Sequence, residues 1–498
     1  MGYFPFPFRK HKADEVISTL LEERKSTIKQ LKSWLLDTSE TFIVVQGPRG
    51  SGKRELVLDH VLPKRKNLLI IDCEPITEAH GDTNTIAAAA QQVGYRPVFS
   101  WMNTITSLAD LAAQGTIGTS VGFSQTLEIQ FNKILQNVGT ALKQIALEDR
   151  SPQDKDAGLS DEEYLSANPE KRPVVVIDNF LHSPEGTMIY DRLAAWGALL
   201  VSASIAHVIF LTNDVSFSKP LSKSLPDRVF RSVLLGDASP QSAKAFIVNQ
   251  ISAGSEARPE PITITPALER ELDESIVVLG GRLTDLEALA TRIRSGEGPR
   301  TAVEHIISAS AAEIMKLYLS PSSNPSGGKS RNKQWTIEQA WYLITQLSSP
   351  PPNTTPDQGL QYTSLLLHPL FAHSGEDVLQ SLQHSELITI LSHPSGSGRP
   401  YSIRPGRPVY RASFHTLTQD VVLKAKMDMC VLKALIGLDE AEIKRCEEEM
   451  AILATLGGGK EVVRRMEYLG KRIGRAQERV EGGEKGVEGL KGIVRGGY

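Results

Sequence analysis

The sequence predicts an α/β fold with a parallel five-stranded sheet and a helical lid, followed by a winged-helix domain and a C-terminal coiled-coil helical hairpin. Three observations predict it: a glycine-rich loop between an apolar run and a helix, further apolar runs along the first half of the chain, and heptad spacing near its end. The chain has 498 residues, of which 40% are hydrophobic, so it is long enough for roughly two to four domains.

The glycine-rich loop follows the apolar run Thr41–Gln46 and precedes a helix-like segment that begins at Glu55. Glycines let consecutive backbone N–H groups converge on phosphate oxygens, and the following helix N-terminus adds a partial positive charge. The lysine of the loop would reach the β- and γ-phosphates of ATP or the terminal phosphate of ADP. The predicted phosphate-binding residues are Gly47, Pro48, Arg49, Gly50, Ser51, Gly52, Lys53 and Arg54.

Arg54 occupies the position after the loop lysine, where a Ser or Thr hydroxyl normally coordinates Mg²⁺. A guanidinium has no acceptor atom and cannot ligate a metal. The loop therefore predicts nucleotide binding with a weakened Mg²⁺ site, and it gives less support to hydrolysis.

Residues 172–180 contain a run of β-branched side chains that ends in Asp178. This pattern predicts a buried strand whose carboxylate holds Mg²⁺, so Asp178 is the predicted metal-binding and catalytic carboxylate. In hydrolysing proteins of the AAA+ type a glutamate follows and activates water, but Asn179 takes that place here. An amide positions water but cannot accept its proton. Weak or absent hydrolysis is expected, unless Glu55 or Asp214 supplies a carboxylate.

Polar residues of later elements complete the predicted AAA+-type nucleotide-binding domain. Asn213, or alternatively Thr212, ends the fourth predicted strand, where a sensor residue would face the γ-phosphate. Arg228 or Arg231, next to the fifth strand, would reach the nucleotide of a neighbouring subunit as an arginine finger. Arg282, in a Gly-Gly-Arg turn of the lid, would close onto the phosphates. For each residue the alternative is an ordinary turn or an exposed charge.

The composition along the chain predicts five segments. They are a nucleotide-binding domain at 1–237 with an insertion at about 94–172, a helical lid at 238–320, a winged-helix-like domain at 335–416, a coiled-coil hairpin at 421–480 and a flexible tail at 481–498. The insertion is interpreted either as helical packing against the sheet or as a surface for a partner.

The winged-helix prediction rests on helix-like pieces followed by the apolar strand Leu387–Leu391, a Gly/Pro/Ser-rich loop and the segment Pro408–Phe414. Arginines would decorate the wing, and a wing of this kind can contact DNA phosphates. They are Arg399, Arg404, Arg407 and Arg411. The net charge of −3 gives no global attraction for a polyanion, and no basic recognition helix is visible. DNA binding is therefore not expected.

Heptad spacing appears twice in the last segment, with a Gly-Gly-Gly break between the two stretches. One stripe is formed by Ile443, Cys446, Met450 and Leu453, and the other by Val462, Met466, Leu469, Ile473, Ala476 and Val480. Each stripe alternates steps of three and four residues, which predicts a helical hairpin with a coiled-coil seam.

Four segments together resemble the fungal mitochondrial escape protein 2 family: GPRGSGKREL, GYRPVFSWMNTITSLADLAAQGTIG, VVVIDNF and GGRLTDLEAL. The resemblance covers about residues 5–480, and the second segment is its most specific part. It implies a role in maintaining mitochondrial DNA nucleoids. Full-length members carry an RNA-recognition domain and one transmembrane helix before this region. The resemblance thus places this chain on the intermembrane-space side of the inner membrane, attached only through a segment missing from it, and no RNA contact is expected.

The leading hypothesis is an ATP-binding scaffold that assembles as a homo-oligomer, in the form of a hexameric ring, and couples nucleotide binding to assembly. Its other partners would be unknown proteins of the inner membrane or the intermembrane space. The alternative is an active ATPase that remodels proteins or nucleoid components.

Overall fold

The computed structural model describes residues 17–96, 121–148, 150, 158–183, 186–252, 265–320, 335–348, 359–392, 400–455 and 459–496. The chain forms two compact units. The first comprises residues 1–253 and 281–284, and the second comprises residues 254–280 and 285–498. The predicted lid at 238–320 is thus divided between the units, and the winged helix and the hairpin belong to the second unit. Residues 97–120, within the predicted insertion, lie outside the described residues.

The first unit is built on five parallel strands in the order β2-β3-β4-β1-β5. The strands are β1 (Ile43–Gln46), β2 (Leu68–Asp72), β3 (Val174–Phe180), β4 (His207–Thr212) and β5 (Arg231–Leu234). Both faces of the sheet are covered by apolar side chains, which explains the nearly continuous hydrophobic runs of the central strands. This strand order, with the glycine-rich loop directly after β1, confirms the predicted AAA+-type α/β fold.

The register of the strands brings several chain segments to one edge of the sheet. Gln46 at the end of β1 lies opposite Thr212, and Asp72 at the end of β2 lies opposite Asp178. Because all strands are parallel, the glycine-rich loop and these aspartates lie at the carboxyl edge, where ligands bind in open α/β sheets.

Helices cover both faces of this sheet. They are Ile17–Trp34, Lys53–Glu55 continuing as Leu56–Val61, Cys73–Glu78, Asp82–Gln92, Val121–Glu148, Asp161–Ala167, Thr187–Ser202, Val215–Phe217, Ser218–Ser224 and Pro240–Ser252. Leu31 of the first helix and Leu35, directly after its end, pack in one core cluster with Ile43 and Val45 on one face. Each such buried side chain stabilises the fold by about 1.5–3 kcal/mol, so the helix before β1 is an integral part of the unit.

The second unit begins with helices and contains a small antiparallel sheet in the order β6-β8-β7. Its strands are β6 (Leu360–Gln361), β7 (Ile388–Ser392) and β8 (Pro400–Pro405). Its helices before the hairpin are Pro266–Leu279, Leu283–Arg294, Pro299–Ile314 continuing as Met315–Leu319, Ile337–Ser348, Tyr362–Leu366, Pro369–Phe371, Gly375–His384 and Tyr410–Gln419. The first two residues of the helix Leu283–Arg294 belong to the first unit. The helices before β7 and the β7-β8 pair form the predicted winged helix.

The predicted wing needs correction in its last part. The segment Pro408–Phe414 does not supply a strand, because the partner of β7 is β8 and residues Tyr410–Gln419 form a helix. Arg407 contacts the buried carboxylate of Asp285, so its charge is neutralised within the unit. Arg404 lies in β8 and Arg411 in the following helix, whereas Arg399 lies outside the described residues.

The hairpin consists of helices Val421–Thr455 and Lys460–Gly496. Ion pairs of Arg465 with Glu449 and of Arg479 with Asp439 show that the helices run antiparallel. From the predicted seam, Cys446, Leu469 and Ala476 are buried.

The predicted flexible tail at 481–498 is wrong, since the second helix continues to Gly496. Its glycines permit close packing, because a Cβ on Gly483 would lie 2.8 Å from Ile436 Cγ1 and one on Gly486 would lie 3.1 Å from Leu432 Cδ1. No helix within the described ranges combines the length and apolar character needed to cross a membrane.

Candidate nucleotide-binding site

The loop after β1 has the backbone that its glycines predict. Gly50 and Gly52 adopt left-handed conformations with φ of 71° and 78°. Gly47 passes so close to β5 that an added Cβ would lie 2.4 Å from the Leu235 carbonyl oxygen. The Gly47 N–H donates to the Thr212 carbonyl at 3.0 Å, which anchors the loop to the end of β4. A side chain at any of these glycines would strain the loop.

Lys53 begins the helix that follows the loop, and its ammonium group lies over the loop backbone. Its Nζ donates to the carbonyl oxygens of Gly47 at 2.7 Å and of Pro48 at 2.9 Å. A phosphate oxygen is a stronger acceptor for an ammonium than a neutral carbonyl. The loop residues and Lys53 therefore have the chemistry to hold a phosphate group.

Arg54 forms an ion pair with the aspartate at which the sequence places a metal. Its Nη1 donates to Asp178 Oδ2 at 2.7 Å and lies 3.7 Å from Asp72 Oδ2. The Asp178 side chain is 9% exposed and that of Arg54 is 43% exposed. Burial raises the pKa of the Asp178 carboxyl, and the Arg54 guanidinium opposes that rise. The residues around Asp178 do not fit Mg²⁺, because Arg54 binds the Asp178 carboxylate and the residue after Lys53 has no hydroxyl group.

Asn179 ties the neighbouring carboxylates together. Its backbone is left-handed, with φ of 53°, a conformation that asparagine tolerates better than most residues. Its Nδ2 donates to Asp72 Oδ1 at 2.9 Å and to Glu74 Oε2 at 3.3 Å. A glutamate here would place a further negative charge against Asp72 and Glu74, so the amide stabilises this acidic group.

The loop residue Arg49 contacts the ring of His182, which the sequence did not indicate. His182 Nε2 lies 3.5 Å from Glu74 Oε1, and ligand atoms of Glu74, Glu78 and His182 approach within 4.8 Å of one another. Burial raises the pKa of Glu74, and Arg49 opposes the rise. The only signal for Glu74 in the sequence was its place two residues after Asp72, at the carboxyl end of a buried strand.

Arg282 lies beside the glycine-rich loop, where its motif places it, and it contacts the loop main chain. Its Nε donates to Asp237 Oδ1 at 2.6 Å, and its Nη1 donates to the Arg49 carbonyl at 2.7 Å. The residue is only 4% exposed. The turn before it approaches closely, since a Cβ on Gly281 would lie 1.9 Å from the Ala238 carbonyl oxygen. Arg282 thus fixes the position of the loop in this unit.

Arg24, on the helix before β1, was missed by sequence reasoning. It is 7% exposed, and its Nη2 has no hydrogen-bond partner within the described part of the chain. Its Nη1 would lie 3.1 Å from a Cβ built on Gly52, so the guanidinium faces the last glycine of the loop. Burial lowers the pKa of Arg24, and the nearby carboxylates of Glu23 and Asp237 oppose this.

The two candidates for a sensor differ in their contacts. Thr212 is buried, and its Oγ1 donates to the Phe180 carbonyl at 2.8 Å, which is a structural role. Asn213 is half-buried at the end of β4 and stays the sensor candidate. Asp214 accepts from the Ser216 N–H at 2.7 Å and caps the following turn, so its carboxylate is engaged.

Arg228 and Arg231 lie away from the loop of their own chain. Arg231 begins β5 opposite Ile43, at the amino edge of the sheet. Its Nη1 is 2.9 Å from Asp37 Oδ2, and Arg228 Nη1 is 3.6 Å from Glu40 Oε2. Their action on a neighbouring subunit stays a prediction.

The chain is similar to known proteins over most of its length. Residues 24–456 match the family model described as RNA12 protein. "Mitochondrial escape protein 2" of Phaeosphaeria nodorum is 48% identical over 99% of this chain and 60% of its own length. The protein of the same name from Neurospora crassa is 45% identical over 98% of this chain and 58% of its own length. The chain thus spans about 60% of the length of these relatives.

Among solved structures, a Walker-type ATPase of Pyrococcus abyssi is similar with a TM-score of 0.44 and 13% identity, over 78% of this chain and 95% of that chain. The family match and the fungal relatives agree with the resemblance seen in the motifs. The chain belongs to the RNA12 protein family, as a relative of the fungal mitochondrial escape protein 2 proteins.

Proposed function

We propose that this chain is an ATP- or ADP-binding AAA+-like scaffold that assembles as a homo-oligomeric ring and hydrolyses nucleotide weakly or not at all. The observation that carries the proposal is the ion pair between Arg54 and Asp178, at 2.7 Å, beside a loop whose backbone suits phosphates. This ion pair connects the loop to the Asp178 carboxylate and neutralises the charge of that carboxylate.

Nucleotide binding is supported by the loop itself. Gly50 and Gly52 adopt the left-handed conformations that allow consecutive backbone N–H groups to converge on an anion, and the Lys53 ammonium contacts the same loop. Arg282 and Asp237 hold the loop from the side of the lid turn. These contacts order the loop before a ligand arrives, which reduces the entropy lost on binding.

Weak turnover is supported by the surroundings of Asp178. Hydrolysis needs a metal-bound phosphate and a base that takes a proton from water. Arg54 holds the carboxylate where the metal would bind, and the Asn179 amide donates to Asp72 and Glu74. Neither side chain can accept a proton at neutral pH.

Assembly requires binding alone. A nucleotide present at a hundred times its Kd stabilises the form that binds it by about 2.7 kcal/mol. If the ring binds ATP and the separate chain does not, that free energy favours the ring, with Arg228 or Arg231 contributing to the neighbour's site.

In the cellular setting that we propose, the mitochondrial location is supported by the names of the relatives, and the finer placement follows the resemblance of the motifs. We place the chain in mitochondria, on the intermembrane-space side of the inner membrane, with a role in maintaining the mitochondrial genome. Inner-membrane or intermembrane-space proteins are the proposed further partners.

The test combines molar mass and phosphate release for the purified chain and for Lys53→Ala. We expect ATP to raise the molar mass of the parent toward a hexamer and to leave that of Lys53→Ala unchanged. Phosphate release should be equally slow for both. A mass that does not respond to ATP would contradict the scaffold.

A second candidate is an active ATPase in which Glu74 acts as the base. It is favoured by the position of Glu74 Oε2, 3.3 Å from Asn179 Nδ2, and by the raised pKa of Glu74. Release of about one phosphate per second, lost in both Lys53→Ala and Glu74→Gln, would establish it in place of the scaffold.

A further inference from the structure

We propose that Arg54 replaces Mg²⁺ as the cation that joins bound phosphates to Asp178, so that ATP and ADP bind this chain without a divalent metal. The inference rests on the proposed nucleotide binding and deepens it, because it names the metal-free nucleotide as the ligand.

Arg54 stands at the loop position that usually supplies a metal ligand. In most phosphate-binding loops, the residue after the lysine is a Ser or Thr whose hydroxyl ligates Mg²⁺, and an aspartate near the end of another strand of the same sheet holds the same ion. Arg54 starts from the backbone position of that hydroxyl, and its Nη1 reaches that aspartate at 2.7 Å. One side chain therefore connects the two places that the ion would connect.

Arg54 has more N–H donors than its contact with Asp178 uses. A guanidinium carries five N–H groups in a planar fork, and it binds phosphate oxygens in pairs. The contact with Asp178 uses the Nη1 side of this fork. The side chain is 43% exposed, so a ligand on the loop has access to it. A single guanidinium is thus able to bridge the carboxylate and a phosphate.

Arg54 also compensates the negative charges beside it. Asp72 and Asp178 end neighbouring strands, and without a cation they would repel a phosphate chain. Arg54 lies 2.7 Å from one carboxylate and 3.7 Å from the other, and the Asn179 amide donates to Asp72 at 2.9 Å. The acidic pair is therefore compensated from within the chain.

The same geometry opposes Mg²⁺. A dication bound to Asp178 would have to displace the guanidinium or lie beside it, and two cations at one carboxylate repel each other. The hydroxyl that would repay this cost is missing at position 54. Added Mg²⁺ should therefore give no gain in affinity through this site.

The experiment measures ADP and ATP binding to the whole chain by titration calorimetry, once with excess EDTA and once with excess Mg²⁺. We expect the two Kd values of the parent to differ by less than about threefold, well under the tenfold step that corresponds to 1.4 kcal/mol. Arg54→Thr restores the hydroxyl and should bind at least about tenfold more weakly in EDTA than in Mg²⁺.

Arg475→Thr is the matched control, because it removes an exposed arginine from the second unit. It should bind like the parent under both conditions. Binding of the parent in Mg²⁺ but not in EDTA would overturn the inference and leave the proposed scaffold standing. Binding under neither condition would end both. The comparison within the parent decides the question even if Arg54→Thr fails to fold.

Discussion

The amide of Asn179 donates to the carboxylate of Asp72 at 2.9 Å, and this contact joins the ends of β2 and β3. The two residues are far apart in sequence and meet because Asp72 and Asp178 are in register in the parallel sheet. The residue that replaces the expected glutamate thus has a structural role in the acidic group beside the loop.

Asn179→Glu should therefore fail to restore hydrolysis and should destabilise the protein. The change removes two hydrogen bonds, adds a charge against Asp72 and Glu74, and puts a less tolerant residue at a positive φ. We expect the free energy of unfolding to fall by about 2 kcal/mol, measured by denaturant titration. Asn179→Gly is the control, since it accepts the backbone but lacks the amide. A stable Asn179→Glu variant with new phosphate release would refute this account.

Arg282→Ala should remove the contacts that anchor the loop at the Arg49 carbonyl. The arginine is buried and donates charged hydrogen bonds to Asp237 and to the Arg49 carbonyl. Thermal and denaturant unfolding should show a loss of about 2–4 kcal/mol, and calorimetry should show weaker nucleotide binding. Arg294→Ala, which removes an arginine from the end of the helix that follows Arg282, should change stability by less than about 0.5 kcal/mol. Equal effects of the two changes would contradict a specific role for Arg282.

Arg24→Met should separate stability from binding. The buried Nη2 of Arg24 has no partner within the described residues, and a buried charge without full compensation is costly. Methionine keeps much of the volume without the charge, so the free energy of unfolding without nucleotide should rise by about 1 kcal/mol. Nucleotide affinity should fall, because the guanidinium faces Gly52 of the loop. A variant that is less stable and binds equally well would show that Arg24 acts only in packing.

The protein should lose stability in weak acid because the buried His207 ring is neutral in the folded state. Burial lowers its pKa from the ordinary 6.5 to about 3, with Arg172, Arg65 and Arg231 acting in the same direction. Its folded-state pKa lies below the unfolded one, so the unfolded chain binds the proton first. The stability contributed by the neutral ring is complete above about pH 6.5 and is lost as the pH falls toward about 3, by roughly 5 kcal/mol in total.

The check is unfolding of the parent and of His207→Gln between pH 7 and 4. The stability of the variant should depend less steeply on pH, whatever its stability at pH 7. Parallel pH profiles for the two proteins would contradict the assignment to His207.

Local patterns in the sequence predicted the first unit well. The β-branched runs predicted the strands, because a sheet covered on both faces demands continuous apolar sequence. The loop glycines and Asp178 were identified because each belongs to a motif of consecutive residues. The pairing of Arg54 with Asp178 was not predictable, since it depends on which strands are neighbours in the sheet.

Other features were missed for the same reason. Arg24 and His182 carry no motif, and only the fold brings them to the loop. In the second unit, glycine composition suggested a flexible tail at 481–498, but the helix persists because Gly483 and Gly486 let it pack closely on its partner helix. The glycine content indicates the conformational entropy lost when the helix forms, but it does not indicate the packing contacts that offset this loss.

Calorimetric titration of the parent and of Lys53→Ala with ADP tests the central claim most directly, because it asks only whether the loop binds phosphate. The account predicts saturable binding of one nucleotide per chain for the parent, and a Kd at least about tenfold weaker for Lys53→Ala. No heat of binding with the parent, or the same Kd for both proteins, would contradict it.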